Sequence, residues 1–266
     1  MILPHREFGW KYDLPAPDTP SNSDVSRDSL DAPSLQVGTH HIELSRSTLK
    51  FRGGWIIGGG AILLISTLLA AYIISSLFGS SPPSIKPTLV ILASFCFLYF
   101  IFIPYIRMDF SHPCDEPIRF NRHRRKVYFY QYRYDRLHPL GRKNWGIKPV
   151  AYEWRDLTAE VYSIYAPMGF GGLVEKVVLA VRRPGTDEVI DRLLLSDNIE
   201  EGKNHWAIAR LYMQKGPEAL PELMTETTER NSNYCFNPFV RLAPKVQWPA
   251  DMDLESRTAP APGDQP

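Results

Sequence analysis

Through most of the chain, apolar and polar residues alternate over short distances. Two runs break that texture. Trp55 to Phe78 and Leu89 to Ile106 are apolar almost throughout and contain no Asp, Glu, Lys or Arg. A helix needs about 20 largely apolar residues to cross a hydrocarbon core of about 30 Å. The first run meets that length with room to spare and the second narrowly. Between them lies the Pro/Ser-rich stretch Gly79 to Pro87. The first run begins too far along the chain, and is too long, to be a cleavable signal peptide. Residues 39–106 therefore predict a membrane hairpin with spans 55–78 and 89–106. Small residues four apart (Ser66 and Ala70, Ala71 and Ser75) and the triplet Gly58-Gly59-Gly60 predict close packing inside the hairpin.

Beyond the second run the period changes to two. Pro117 to Phe120 reads as a strand, followed by a basic turn and then Lys126 to Tyr134. In that last run Tyr128, Tyr130, Tyr132 and Tyr134 share one face, and Val127, Phe129, Gln131 and Arg133 the other. Further strands are predicted at Val150 to Trp154, Thr158 to Tyr165, Val174 to Arg182 and Glu188 to Leu195. The last two are joined by a Pro-Gly turn at Pro184-Gly185. A helix follows, with Asp197 as its cap, Glu200 completing a capping box, and Trp206, Ala209, Arg210 and Met213 at helical spacing. Ile208, Leu211 and Tyr212 widen its face, and Gly216-Pro217 stops it. Trp154 and Trp206 read as core anchors.

The fold class expected is a membrane α-helical hairpin plus a cytoplasmic α+β domain over residues 107–223. Its antiparallel sheet, closed by one C-terminal helix, is PH-like in element order; a split β-barrel, or a meander with a packed helix, gives the same pattern. Residues 1–38 lack apolar periodicity and read as disordered. Within them Phe8 to Tyr12 forms an aromatic island, either a docking motif or part of the domain surface. His41 to Leu44 and Leu49 to Phe51 read as short strands leading into the first span. Residues 224–266 read as an irregular, Pro-rich tail with a local cluster of Tyr234, Phe236 and Phe239.

Bulk composition hides this organisation. The mean hydropathy of −0.22 and the net charge of +1 describe an ordinary soluble protein only because polar ends dilute the apolar runs. Near-neutral charge argues against nucleic acid as an electrostatic partner. The distribution of charge is more informative. Arg46, Lys50 and Arg52 precede the first span, and Arg107, Arg119, Arg122, Arg124, Arg125 and Lys126 follow the second, whereas the connecting loop carries only Lys86. The positive-inside rule then places both termini in the cytoplasm, with the short loop outside. On that topology Cys96, Cys114 and Cys235 all avoid an oxidising space, and no disulfide framework is expected.

Pro117-Ile118-Arg119-Phe120-Asn121-Arg122-His123-Arg124-Arg125-Lys126-Val127-Tyr128 resembles a motif of an uncharacterised family of proteobacterial membrane proteins bearing a domain of unknown function. The similarity extends to the helical hairpin, to Trp154-Arg155-Asp156-Leu157 and to the helix around Trp206, from about His41 to Gly216. The resemblance implies an architecture and, with the topology above, the inner membrane of a bacterium with the short loop in the periplasm. It also implies a genomic setting sometimes close to type VI secretion or toxin loci, and with it an accessory or immunity-type role. It carries over no catalytic residues.

Candidate chemistry is sparse. Arg119, Arg122, Arg124, Arg125 and Lys126 are the strongest candidates, able to meet anionic lipid headgroups or an acidic protein partner, or simply to form a solvated turn that reinforces the topology. The tyrosine ladder beside them suits base stacking, but cross-strand packing explains it more simply, and no nucleic-acid partner is expected. Met168 to Gly172 lacks a phosphate-loop ending and reads as a hairpin connection. His112 with Cys114, and His40 with His41, fit no zinc spacing. Glu153, Asp156, Asp187, Glu188 and Asp191 are carboxylates in or beside turns. No nucleophile or metalloprotease signature is present. The expectation is a non-enzymatic interaction or regulatory module at the membrane surface, without cofactor or metal; an enzyme would need a carboxylate-lined pocket.

Overall fold

The computed structural model describes residues 6–20, 35–46, 52–80, 85–165, 172–220 and 237–260. In chain order the strands are β1 (Trp10–Asp13), β2 (Leu35–Val37), β3 (His41–Leu44), β4 (Ile118–Asn121), β5 (Lys126–Phe129), β6 (Tyr132–Arg133), β7 (Gly146–Ile147), β8 (Val150–Glu153), β9 (Leu157–Tyr165), β10 (Leu173–Arg182) and β11 (Val189–Ser196). The helices are α1 (Gly60–Ser80), α2 (Ile85–Ser111), α3 (Ile199–Lys215), α4 (Pro238–Arg241) and α5 (Ala250–Arg257).

The two apolar runs form α1, entered through a π-helical turn at Trp55–Gly59, and α2. Both are long and apolar enough to cross a membrane. Gly59 lets them approach closely: a Cβ there would lie 3.1 Å from Phe102 Cδ1, and Thr67 Oγ1 meets Tyr99 Oη at 3.1 Å across the pair. Helix α2 runs past the predicted end at Ile106 as far as Ser111, whose hydroxyl donates to Arg107 O. The extension is structural. Asp109 Oδ2 accepts from Trp55 N and Ile56 N, so the end of α2 caps the start of the first span. Arg52 donates to the carbonyls of Asp109 and Pro113, and Arg46 donates to those of Glu116 and Leu194. The arginines that precede the first apolar run thus fasten the hairpin to the domain.

The rest is a sheet-rich α+β domain. One sheet has the order β1-β9-β10-β11, a second β2-β3-β4-β5-β8, and β6 pairs with β7 alone. All neighbours described are antiparallel. The chain passes from the second sheet to the first through one 3-10 turn at Trp154–Asp156. Inward residues of both sheets, including Phe120, Phe129, Val161 and Leu179, join one core with α3. Trp154 and Trp206 meet at its centre, fully buried, with ring centroids 5.0 Å apart. The two hairpins read from alternation form as expected, with Phe120 opposite Val127 and Leu179 opposite Leu193.

Four expectations need correction. Residues 1–38 are not uniformly disordered: the aromatic island supplies β1 on the edge of β9, and residues 14–19 run along α3. They show no apolar period because α3 side chains hold their backbone: Trp206 Nε1 donates to Pro15 O, and Gln214 Nε2 to Pro17 O and Thr19 O. Residues 224–266 are not wholly irregular either, since 237–260 form α4, α5 and a strap along β4 and β5. Third, the cap of α3 is Asn198, whose side-chain Oδ1 accepts from Glu200 N and Glu201 N. Finally, the tyrosine ladder is not one strand face. Strand β5 ends at Phe129; Tyr128 and Tyr130 are fully buried, whereas Tyr134 is exposed. Leu49 to Phe51, Met168 to Gly171, Tyr234, Cys235 and Phe236 lie outside the described residues.

Candidate functional site: a basic edge gripped by both ends of the chain

The β4–β5 hairpin turns through Arg122 to Arg125. Asn121 Oδ1 accepts from Arg124 N at 2.9 Å and closes the turn. Arg125 takes φ +52°, a left-handed conformation seldom adopted by residues with a Cβ. It is held there from two sides: its carbonyl accepts from Trp154 N at 2.8 Å, and its guanidinium reaches Asp18 and Met213 O.

The five predicted cations are brought together, but not as a free patch. Arg119 is buried on β4, paired with Glu43 of β3 on one side and with Asp253 of α5 on the other. It also donates to Ser256 Oγ and stacks over Trp248, 4.5 Å from the ring centroid. Arg124 donates to the carbonyls of Thr258 and Ala259. Lys126 Nζ lies 3.1 Å from Glu255 Oε1. Arg125 meets Asp18 from the other end of the chain. Arg122 lies against Gly216, where a Cβ would fall 2.4 Å from its Nη1; that glycine, at φ +91°, both ends α3 and leaves room for the guanidinium.

The strap runs the length of this edge. Near the spans, Asn237 donates to Arg52 O, Phe239 packs on Gly53, and Cys114 N donates to Pro244 O. Midway, Trp248 packs against Tyr130 with the rings tilted at 59°, and Gln247 N donates to Tyr130 Oη. At the turn, Asn121 Nδ2 donates to the carbonyls of Ser256 and Thr258. The electrostatics fit this arrangement. For Asp253 and Glu255 burial works upward, yet Arg119 and Lys126 respectively prevail and hold both carboxyls below their ordinary values. Burial, then the charges of Arg119 and Arg257, pushes His41 down to about 4.

Sequence reasoning found the cations and missed Asn121, which grips beside them, and what they hold: Trp248, Asp253, Glu255, Ser256 and Thr258. The alternating acids of Asp251-Met252-Asp253-Leu254-Glu255 were the available signal. They sit in a helix too short to show an apolar period. Elsewhere, Glu153 and Asp156 line an open cavity of about 240 Å³ together with Lys126, Tyr152 and Arg182; its lining contains no His, Ser or Cys. Among the described residues no three His, Cys, Asp or Glu side chains gather to hold a metal.

The sequence pattern of a family of unknown function (DUF6708) matches residues 95–260, well over half the chain, from within α2 to the end of the strap. No curated protein and no solved structure is significantly similar to the chain.

Proposed function

We propose, for a chain that belongs to this family of unknown function, that the sheet-rich domain is an interaction module held at a membrane surface by the α1–α2 hairpin, and that its basic edge receives an acidic protein segment. One observation carries the reading: Arg119, Asn121, Arg124 and Lys126 all grip residues 253–259. The edge is built to hold a peptide with spaced carboxylates and free carbonyls, and the chain's own strap occupies it. Binding of a partner segment would then be regulated by release of the strap.

The charge distribution supports a topology with both ends of the chain on the cytoplasmic side: Arg46, Arg52 and Arg107 flank the domain end of the hairpin, and Lys86 lies at the other end. Two antiparallel sheets followed by one helix support the pleckstrin-homology-like reading. Position favours a protein partner over headgroups for the basic turn. Strand β4 leaves the hairpin side at Ile118 and reaches the turn about 13 Å further on, at roughly 3.3 Å per residue. The return path comes back to the spans at Tyr132, whose hydroxyl meets Ser111 Oγ.

The test is binding of a fluorescein-labelled peptide with the sequence of Pro249 to Pro260 to the detergent-solubilised full chain. The double variant Asp253→Lys/Glu255→Lys frees the edge and should bind at least about tenfold tighter than the unaltered protein, the equivalent of one displaced charged contact of about 1.4 kcal/mol. Adding Arg119→Glu should abolish the gain. Equal affinity in all three would refute the reading.

A further inference from the structure

The basic turn points away from the spans, but another cationic segment does not. Residues 134–145 link β6 to β7 and fold back beside the end of α2. Arg107 Nη1 donates to Pro139 O at 2.5 Å and to Gly141 O at 2.7 Å. The same guanidinium lies over Trp145, 4.2 Å from the ring centroid, and Arg136 lies over Tyr105 of α2. Arg107 is about 33 Å along α2 from Ile85 at 1.5 Å per residue, close to one hydrocarbon thickness of about 30 Å. The segment is therefore held at the depth where α2 leaves the acyl region.

Its own bonding keeps it in shape. Asp135 accepts from Leu137 N, His138 N and Asn144 Nδ2, and its second oxygen also meets His138 Nδ1. Trp145 Nε1 donates to His138 O. In a segment so closely tied, Leu137 and Leu140 are nevertheless 73% and 81% exposed. Arg136, Arg142 and Lys143 are exposed beside them. Tyr134 and Trp145 pack together, and Trp55 stacks on Tyr105 at 4.6 Å. Two outward leucines, interfacial aromatics and three exposed cations at the end of a span are the composition of a membrane interface.

We infer that residues 134–145 form an interfacial wedge. Leu137 and Leu140 enter the edge of the acyl region of the leaflet that the hairpin leaves, and Arg136, Arg142 and Lys143 meet its anionic headgroups. The wedge fixes the tilt of the domain against the bilayer and keeps the strap-covered edge facing the cytoplasm. This rests on the reading that α1 and α2 span the membrane.

A nitroxide depth measurement tests both separately. The full chain, carrying Cys96→Ala, Cys114→Ala and Cys235→Ala, is labelled in turn at Leu140→Cys, Leu92→Cys and Asp187→Cys and placed in liposomes of phosphatidylcholine with phosphatidylglycerol. Position 92 lies inside the second span, about 10 Å along α2 from Ile85 at 1.5 Å per residue, and position 187 is an exposed turn at the far end of β11 from Arg46. The expected result is a label buried at 92, aqueous at 187, and intermediate at 140, with an oxygen-to-nickel accessibility ratio about threefold above that at 187, as for the interfacial zone. Removing phosphatidylglycerol, or adding Arg142→Glu/Lys143→Glu, should bring position 140 toward the value at 187. A buried label at 92 with 140 indistinguishable from 187 would overturn the wedge and leave the spans standing. Aqueous accessibility at 92 would overturn the membrane reading itself. Depth at 140 indifferent to lipid charge and to charge reversal would overturn the headgroup contact.

Discussion

Arg119→Ala tests whether one buried cation locks the strap to the sheet. Its side chain is 3% exposed, between Glu43 at 15% and Asp253 at 35%. Removing one member of a buried pair costs about 3–5 kcal/mol, because the remaining charge stays desolvated. The third-exposed Asp253 recovers water and places the expected loss at the lower end. Stacking on Trp248 adds about 0.5–1 kcal/mol. A combined loss near 3.5 kcal/mol corresponds to about three-hundredfold more frequent opening of the strap, at 1.4 kcal/mol per factor of ten. Amide hydrogen exchange of Ala250–Arg257 in the detergent-solubilised protein reads this directly. Asp253→Ala removes a single, partly exposed partner and should raise exchange only a few-fold, consistent with about 1 kcal/mol. If helix α5 keeps its protection in Arg119→Ala while the core strands also remain protected, the lock lies elsewhere and the reasoning fails.

Ile65→Arg and Leu92→Arg place a charge on faces of α1 and α2 that are 64% and 53% exposed in the protein. At Ile65, near the centre of its run, the cost is about 2.5–3.5 kcal/mol of insertion, and at Leu92, nearer the end of its run, it is less; each should shift the chain out of the membrane fraction, and unchanged fractionation of Ile65→Arg would contradict the spans. Asn198→Ala should lower stability by about 1 kcal/mol, seen as a lower thermal midpoint, whereas Asp197→Ala should change it less, since the side chain of Asn198 carries the cap. On acidification, His41 titrates before the strap carboxylates. Its folded value of about 4 lies below the ordinary 6.5, so its contribution is fully present above pH 6.5 and is lost as the pH falls toward 4. That loss is at most about 2 kcal/mol at pH 5. Asp253 and Glu255, lowered in the fold, keep their contribution until the pH drops below the ordinary carboxylate range. His41→Gln should flatten most of the change in α5 protection between pH 7.5 and 5, leaving the smaller share of His123, which burial also holds below its ordinary value.

What the sequence discloses follows from how each element is stabilised. Helices α1 and α2 are legible because each is one uninterrupted apolar run, long enough to cross a membrane. The β10–β11 hairpin and α3 are legible because each buries one face, which writes a period of 2 or 3.6 into the chain. Trp154 and Trp206 are legible by size alone. The strap and the N-terminal segment are not, because neither is held mainly by its own apolar side chains. Residues 14–19 are held as backbone by Trp206, Arg210 and Gln214. Residues 253–259 are held as carboxylates and carbonyls by Arg119, Asn121 and Arg124. A segment recognised through its backbone leaves no periodic trace in its own sequence, and the trace falls on the residues that grip it.

That asymmetry changes what the basic turn means. Five cations close together after a span read naturally as a surface for lipid, since such a surface needs charge and little else. The structure instead assigns each of four cations a partner of its own: Arg119 with Asp253, Arg124 with the carbonyls of Thr258 and Ala259, Arg125 with Asp18, and Lys126 with Glu255. A diffuse headgroup layer does not require side chains at such fixed positions, whereas a peptide with carboxylates two residues apart does. The segment whose composition suits an interface, with leucines outward and cations around them, lies at residues 134–145, where Arg107 fastens it to the end of α2. On the two readings proposed above, charge is divided between two tasks by distance from α1 and α2: the near segment would meet lipid, and the far edge would hold protein.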